Sequence, residues 1–289
     1  VGVATKRHRD DLAARAGDVA HLQPASEAGP RDDRTARAAR DAARQREALV
    51  ALQAACSPAE VRVVPFDLGD LDALPARAAE ALACYGVIDI MVHNAGVAVR
   101  DRAVNTFREV HEHILRTNYL GPVLLTQALL PAMFARGGGH FVVVSSLSGK
   151  YGGPLLSAYA GSKHALHGFF ESLRAEEHDR GIIVTMIVPG FIKTEITAHA
   201  LTGSGGSFGR VLGIYRTAMT PEECASRILH AVARHRQEAL VGGTETATVY
   251  LKRWFPRILE VVVRSHPVRF RDRLLGRIPF LGKRRHPPG

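Results

Sequence analysis

The sequence predicts an α/β domain built on a doubly wound parallel sheet, and three observations predict it. From about residue 60 onward, short β-rich runs alternate with longer helical ones. The β-rich runs are VRVVPFD (61–67), IDIMVHNAG (88–96), GHFVVVSS (139–146) and GIIVTMIVPG (181–190). Each is continuously apolar rather than alternating, the pattern of a strand buried on both faces. The intervening stretches, 70–86, 105–137 and 157–181, carry apolar residues at helical spacing and end at glycine. Strand and helix in this order require crossover connections, which lay helices over both faces of a parallel sheet.

In such sheets ligands bind beyond the carboxyl ends of the strands. The polar clusters fall there: Asp67, then HNAG (93–96), then Ser145 and Ser146, and PGFIKTE (189–195) after the last run. Tyr159 and Lys163 lie four apart on a predicted helix, so their side chains share a face. An ammonium beside a phenol favours the phenolate and makes the tyrosine a usable proton donor and acceptor near neutral pH. Ser146 closes a predicted strand 13 residues earlier, across a loop holding Gly149, Gly152, Gly153 and Pro154. That loop can fold the hydroxyl back to hold a substrate oxygen. Ser145 should point to the opposite strand face, and Ser148 sits past the strand end.

The 289 residues, 46% of them hydrophobic, suffice for one sizeable core. Three regions are expected: an atypical segment over 1–36, the α/β domain over 37–250, and a basic amphipathic extension over 251–289. Cys56, Cys84 and Cys224 are far apart and lack metal-ligand spacing, so neither a disulfide framework nor a metal site is indicated, and a reducing compartment fits best. His111 and His113 do not face each other on a helix; His164 and His167 do, without an evident carboxylate or cysteine partner. No apolar run approaches the roughly 18 residues of a membrane-spanning helix, and the first residues lack a signal-peptide core, so the chain reads as cytoplasmic, with peripheral membrane contact left open.

The formal net charge is +10. No recognised nucleic-acid motif or aromatic stacking platform accompanies it, so nucleic acid is not an expected partner. The excess is concentrated after Tyr250, where Lys252, Arg253, Arg257, Arg264, Arg269, Arg271, Arg273, Arg277, Lys283, Arg284 and Arg285 face only Glu260 and Asp272. Apolar residues interleave throughout. Such a segment can lie on an anionic membrane, cover an apolar entrance to the core, or stay solvated.

In order and near-constant spacing, Asp67-Leu68, HNAG, Asn118 in RTNYLG, SSLSG (145–149), YAGSK (159–163) and PGFIKTE resemble the short-chain dehydrogenase/reductase family over about residues 37 to 245. The resemblance implies a Rossmann-like fold and a catalytic set of Asn118, Ser146, Tyr159 and Lys163. Tyr159 would be the general acid/base, and Ser146 would polarise the substrate oxygen. Lys163 would lower the tyrosine's pKa and bind the nicotinamide ribose, while Asn118 would interrupt a helix and hold a relay water. Asp67 and Leu68 would meet adenine, and Asn94, Ala95 and Gly96 the adenosine side. Pro189, Gly190, Ile192 and Thr194 would receive the nicotinamide carboxamide and phosphates. Arg40 is the candidate for the 2′-phosphate, which favours NADP, with NAD still open.

The implied activity is hydride transfer between NADP(H) and a ketone or secondary alcohol. The stretch from Ser146 to Lys163 and the basic extension look most like the hydroxysteroid-dehydrogenase-like branch, which takes lipophilic carbonyls and often associates with membranes. A homodimer or homotetramer through helices 105–136 and 157–180 is implied as well. Two features depart from the family pattern. His93 replaces the usual asparagine, and the strand–Thr-Gly-x-x-x-Gly-x-Gly–helix opening is missing. If Arg7-His8-Arg9 is written CGG CAT CGG, the frame shifted by one encodes Gly-Ile-Gly, so a frame change across about the first 35 residues would account for it. Alternatively, the first βα unit is atypical or absent, and the chain is a catalytically impaired binding or scaffold protein without a pyrophosphate loop.

Overall fold

The computed structural model describes residues 61–210 and 218–264. Four strands, β1 (Ile90–His93), β2 (Gly139–Val144), β3 (Ile182–Pro189) and β4 (Glu238–Val241), form a wholly parallel sheet in the order β1-β2-β3-β4. The helices are α1 (Leu74–Tyr85), α2 (Arg108–Leu115), α3 (Gly121–Phe134), α4 (Ser157–Glu176), α5 (Pro221–Ala233), α6 (Thr248–Trp254) and α7 (Pro256–Arg264).

Side-chain alternation along β2 sorts the helices onto the two faces. Phe141 and Val143 join Leu74 and Ala78 of α1, Leu125, Leu129 and Met133 of α3, and Leu166 and Phe170 of α4 in one core cluster. Val142 points the other way, to Cys224, Ala231 and Val232 of α5. Phe141 and Phe170 are fully buried, each contributing about 1.5–3 kcal/mol of transfer free energy. The doubly wound α/β class predicted from the strands is the observed one.

Local chemistry sets the helix ends. Thr220 caps α5, its hydroxyl accepting the Glu223 N–H at 3.2 Å, with Pro221 at the first position and Glu222 and Glu223 in the first turn. α1 stops at Gly86, whose φ of +73° is the left-handed conformation that glycine adopts without strain.

Two expectations change. Residues 61–67 are not a strand: Val61 and Val64 are buried, but the segment joins no strand of the described sheet, and an apolar run is a strand only when it enters a ladder. The helix expected over 105–136 is interrupted around Asn118, as the resemblance implies, by a π turn, Arg116–Leu120, between α2 and α3. α4 ends at Glu176, and a separate 3-10 turn, His178–Arg180, follows it. The Arg40 candidate and the 1–36 segment lie outside the described residues.

The register of β2 on β3 begins where two glycines touch. Gly139 N–H donates to Gly181 O at 3.2 Å, and a Cβ on Gly138 would lie 2.2 Å from that same oxygen. Gly138 also has a φ of +137°, so a side chain is excluded on two counts. We expect Gly138→Ala to destabilise the fold by about 2 kcal/mol or more, read as a lower urea midpoint at unchanged slope. A loss under about 0.5 kcal/mol would mean that the strand starts are not fixed by this contact.

Candidate active site

The π turn is where the site begins. A π turn is rare and appears mostly as a single bulge inside an α-helix, often at functional sites. Here it is closed by Gly121 N–H on Arg116 O, and it pushes Asn118 inward, 1% exposed. The amide accepts Val97 N–H at 2.7 Å and donates to Val97 O at 2.8 Å and Ser162 Oγ at 3.0 Å. Ser162 Oγ in turn donates to Tyr159 O at 2.8 Å. One buried asparagine therefore ties the turn after β1 to the helix that carries Tyr159 and Lys163, with its donors and acceptor matched.

Lys163 is 4% exposed, and its ammonium donates to Val144 O, the last residue of β2, at 2.8 Å. The Nζ lies 5.7 Å from the centre of the Tyr159 ring. Burial pushes its pKa down from 10.5 to about 8, because a low-dielectric surrounding disfavours the charged form. Tyr159 sits at the edge of an apolar cluster with Val97, Val99, Ile114, Ala200 and Leu201. Ser146 follows β2 in extended conformation, and its hydroxyl accepts Ser148 N–H at 3.1 Å, capping the short turn Leu147–Gly149. Ser145 is buried on the other side, its hydroxyl 3.5 Å from Lys163 O.

The residues assigned to the adenosine side are drawn to the same π turn. Asp67 Oδ1 accepts Gly69 N–H at 2.8 Å, and Arg116 donates to Gly69 O at 3.2 and 3.3 Å. A Cβ on Gly121 would lie 2.5 Å from Leu68 O. The turn Asn94, Ala95 and Gly96 follows β1 directly. A Cβ on Gly96 would sit 3.3 Å from Asn118 Oδ1 and 3.5 Å from Lys163 Nζ, so the bare backbone leaves open the space in front of the ammonium. His93 faces away, bonded to Thr126 Oγ1 at 2.8 Å and stacked on Phe141. Burial drops its pKa to about 3, so it is a neutral core residue, and the departure from asparagine falls on the core side of β1.

The loop after β3 holds Pro189, Gly190, Ile192 and Thr194. It is pinned by Lys193 N–H on Met219 O at 2.8 Å and by a partner the sequence reading missed, Glu245. That carboxylate accepts Phe191 N–H and Gly243 N–H, both at 3.0 Å. A Cβ on Gly190 would lie 2.2 Å from it, and one on Gly242 2.6 Å. The paired glycines of GG (242–243) were the one available signal. His167, read as lacking a carboxylate, has two: Glu171 at 3.1 Å and Glu238 at 3.9 Å. Lys150 ion-pairs with the same Glu238, so this group already holds a cation of its own. Glu171, four residues on along the same helix, was within reach of the sequence reading and was passed over; Glu238 belongs to β4, distant in sequence, and was not visible.

A nicotinamide dinucleotide fits this arrangement on two observations. Lys163 is a buried ammonium whose hydrogen bond among the described residues goes to one carbonyl, leaving donors for ribose hydroxyls. The side-chain-free Gly96 and Gly190 open the backbone at the strand ends. Fold and site together define a doubly wound α/β domain with a tyrosine–lysine pair at the mouth of its sheet. Comparison with known proteins identifies the kind. The family model for short chain dehydrogenases matches residues 25–204, and the chain belongs to that family.

Among relatives, "Dehydrogenase/reductase SDR family member 7B" of Xenopus tropicalis is 43% identical over 197 residues, 68% of this chain and 64% of that protein. A "Dehydrogenase/reductase SDR family protein 7-like" of Drosophila melanogaster is 39% identical over 191 residues, 66% of this chain and 59% of that protein. The chain thus spans somewhat less than two-thirds of these relatives. Of solved structures, a short-chain dehydrogenase from Streptomyces avermitilis superposes with a TM-score of 0.58 at 25% identity, covering 80% of this chain and 85% of that one. One from Burkholderia xenovorans, at 22% identity, gives 0.61 over 71% of this chain and 81% of its own, and shows the same fold.

The lowered pKa of Lys163 has a signature in stability. Its folded value lies below its unfolded one, so the penalty of burying the charge is present in full below about pH 8 and fades as pH rises toward 10.5. Against Lys163→Met, which carries no such penalty at any pH, the native protein should gain on the order of 2 kcal/mol between pH 7 and 10. Urea titrations of both proteins at the two pH values measure this; a pH-independent gap would place the titration elsewhere.

Proposed function

We propose that the protein is an NADP(H)-dependent oxidoreductase that passes a hydride between the nicotinamide and a lipophilic ketone or secondary alcohol. The observation that carries this reading is the buried Lys163 ammonium, fixed on Val144 O, with the Tyr159 ring on the same helix face 5.7 Å away. When bound, the nicotinamide supplies or accepts the hydride.

The chain's own groups do the rest. Ser146 Oγ, at the end of β2, donates a hydrogen bond to the substrate oxygen and holds it for the tyrosine. The Tyr159 hydroxyl gives its proton to that oxygen in reduction and takes it back in oxidation. The Lys163 ammonium stabilises the phenolate left behind and meets the ribose hydroxyls. Asn118 acts by position, keeping the Gly96 turn and α4 in fixed relation through Val97 and Ser162. Asp67, Leu68, Asn94, Ala95 and Gly96 hold the adenosine half; Pro189, Gly190, Ile192 and Thr194 hold the nicotinamide half, on a loop tied down by Glu245. Arg40 pairs with the 2′-phosphate, hence NADP rather than NAD. The lipophilic character of the substrate rests on the resemblance to the hydroxysteroid-dehydrogenase-like branch. Assembly into a homodimer or homotetramer through the helical stretch 105–136 (α2 and α3) and α4 is part of the reading. So is a reducing, cytoplasmic setting, which suits the free thiols of Cys84 and Cys224.

A second reading, a catalytically impaired binding or scaffold protein without a pyrophosphate loop, draws on the first 36 residues, which contain no glycine-rich strand-to-helix turn motif. One experiment separates the two. NADPH titrated by fluorescence should saturate both the native protein and Tyr159→Phe with affinities within about twofold, while the variant loses about a hundredfold or more in turnover of lipophilic ketones. A folded native protein that does not bind NADPH supports the second reading. Full turnover by Tyr159→Phe removes the tyrosine from its role.

A further inference from the structure

The surface built by α6 and α7 carries most of the exposed large apolar side chains among the described residues. Trp254 is 71% exposed, Phe255 58% and Ile258 52%, with Tyr250, Val261 and Val262 exposed beside them. Next to them a groove of about 340 Å³ is lined by Ala247, Tyr250, Leu251, Trp254 and Phe255. Single exposed apolar residues are ordinary, but a contiguous aromatic and aliphatic patch marks an interaction surface.

The helical geometry of α7 shows how the surface is arranged. Leu259 points inward and is buried, and Val263, four residues on, is half-buried. At 100° per residue, Ile258, Val261 and Val262 fall on an arc that continues this inner face around to the outside. Arg257, Glu260 and Arg264 occupy the remaining arc, with Arg264 paired to Glu260. The apolar arc is therefore much wider than the part the domain buries. Lys252 and Arg253 of α6 and Arg257 of α7 flank the exposed aromatics, and the only acid among residues 248–264 is Glu260. The sequence continues basic beyond α7, with Arg269, Arg271, Arg273, Arg277, Lys283, Arg284 and Arg285 against Asp272. Aromatic and aliphatic groups rimmed by cations are the signature of a segment lying in the interface of an anionic bilayer.

We propose that α6 and α7 form a docking face for an anionic lipid bilayer, with Trp254, Phe255 and Ile258 entering the headgroup region and Lys252, Arg253 and Arg257 meeting lipid phosphates. Charge complementarity selects this occupant: a second copy of the chain would bring the same cations onto one another. The face also touches the active-site loop. Thr248 Oγ1 donates to Tyr151 Oη at 3.1 Å, and Lys252 Nζ donates to Lys150 O at 2.5 Å. Docking in this orientation sets the loop after Ser146 beside the bilayer, from which an apolar substrate would arrive. The docking inference stands on the surface alone and is independent of turnover.

Trp254 is the only tryptophan in the chain, so its emission reports this face directly. The whole protein is mixed with phosphatidylcholine vesicles, with and without one-third phosphatidylserine. We expect co-sedimentation and a blue shift of the emission with the anionic vesicles only, both reversed by high salt. Arg253→Glu/Arg257→Glu, two exposed positions, should weaken binding more than tenfold at unchanged circular dichroism, and Phe255→Ser/Ile258→Ser should abolish the blue shift. Four outcomes overturn the proposal. An emission already blue-shifted and shielded from acrylamide in the vesicle-free monomer means that the chain covers its own face. Shielding that grows with protein concentration means a second copy does. Sedimentation without an emission shift places lipid contact elsewhere, and salt-sensitive binding to a duplex oligonucleotide but not to vesicles makes the basic surface a nucleic-acid site.

Discussion

A buried ammonium organises this protein. Removing a charge from water costs several kcal/mol unless acceptors replace the lost hydration, and Lys163, 4% exposed, finds its acceptor in Val144 O at the end of β2. That single bond orients α4 over the sheet. It requires a strand that stops at residue 144, a helix that arrives at the right height, and a turn after β1 without a side chain at Gly96. The pKa drop to about 8 measures the residual cost.

Around that lysine, backbone does much of the work usually credited to side chains. Asn118 spends its amide on Val97 and Ser162, and it reaches them because the π turn rotates it inward where a regular helix would carry it elsewhere. Glu245 spends its carboxylate on the amides of Phe191 and Gly243. Both are polar side chains that hold loops at strand ends, one after β1 and one after β3. The two loops are those the family resemblance assigns to the two halves of a dinucleotide, and each is held from behind by its own polar side chain.

Much of the domain was legible in the chain. Continuous apolar runs identified β1, β2 and β3, because strands covered on both faces have no polar side to interrupt them. Tyr159 and Lys163 were paired from their spacing alone, since helical geometry converts a separation of four into a shared face. The same reasoning failed for 61–67, which has a strand's composition but joins no strand of the described sheet. It passed over β4, whose EALV carries a charge and is too short for a pattern. Of the two carboxylates beside His167, Glu171 was legible at i+4 and was passed over, whereas Glu238 arrives from a distant strand.

What the sequence by itself determined is what depends on neighbours in the chain: the doubly wound class, the strand ends where polar residues gather, the helix face of the site, and the amphipathic character of residues 250–264. What only the tertiary structure decided is what depends on contacts between distant segments. The π turn that aims Asn118 at Val97, the inward rotation of His93, the grip of Glu245 on Phe191 and the exposure of Trp254 all belong there. The reason is physical. Periodicity encodes which face of an element is apolar, whereas hydrogen bonds across elements depend on angles and distances that packing alone supplies.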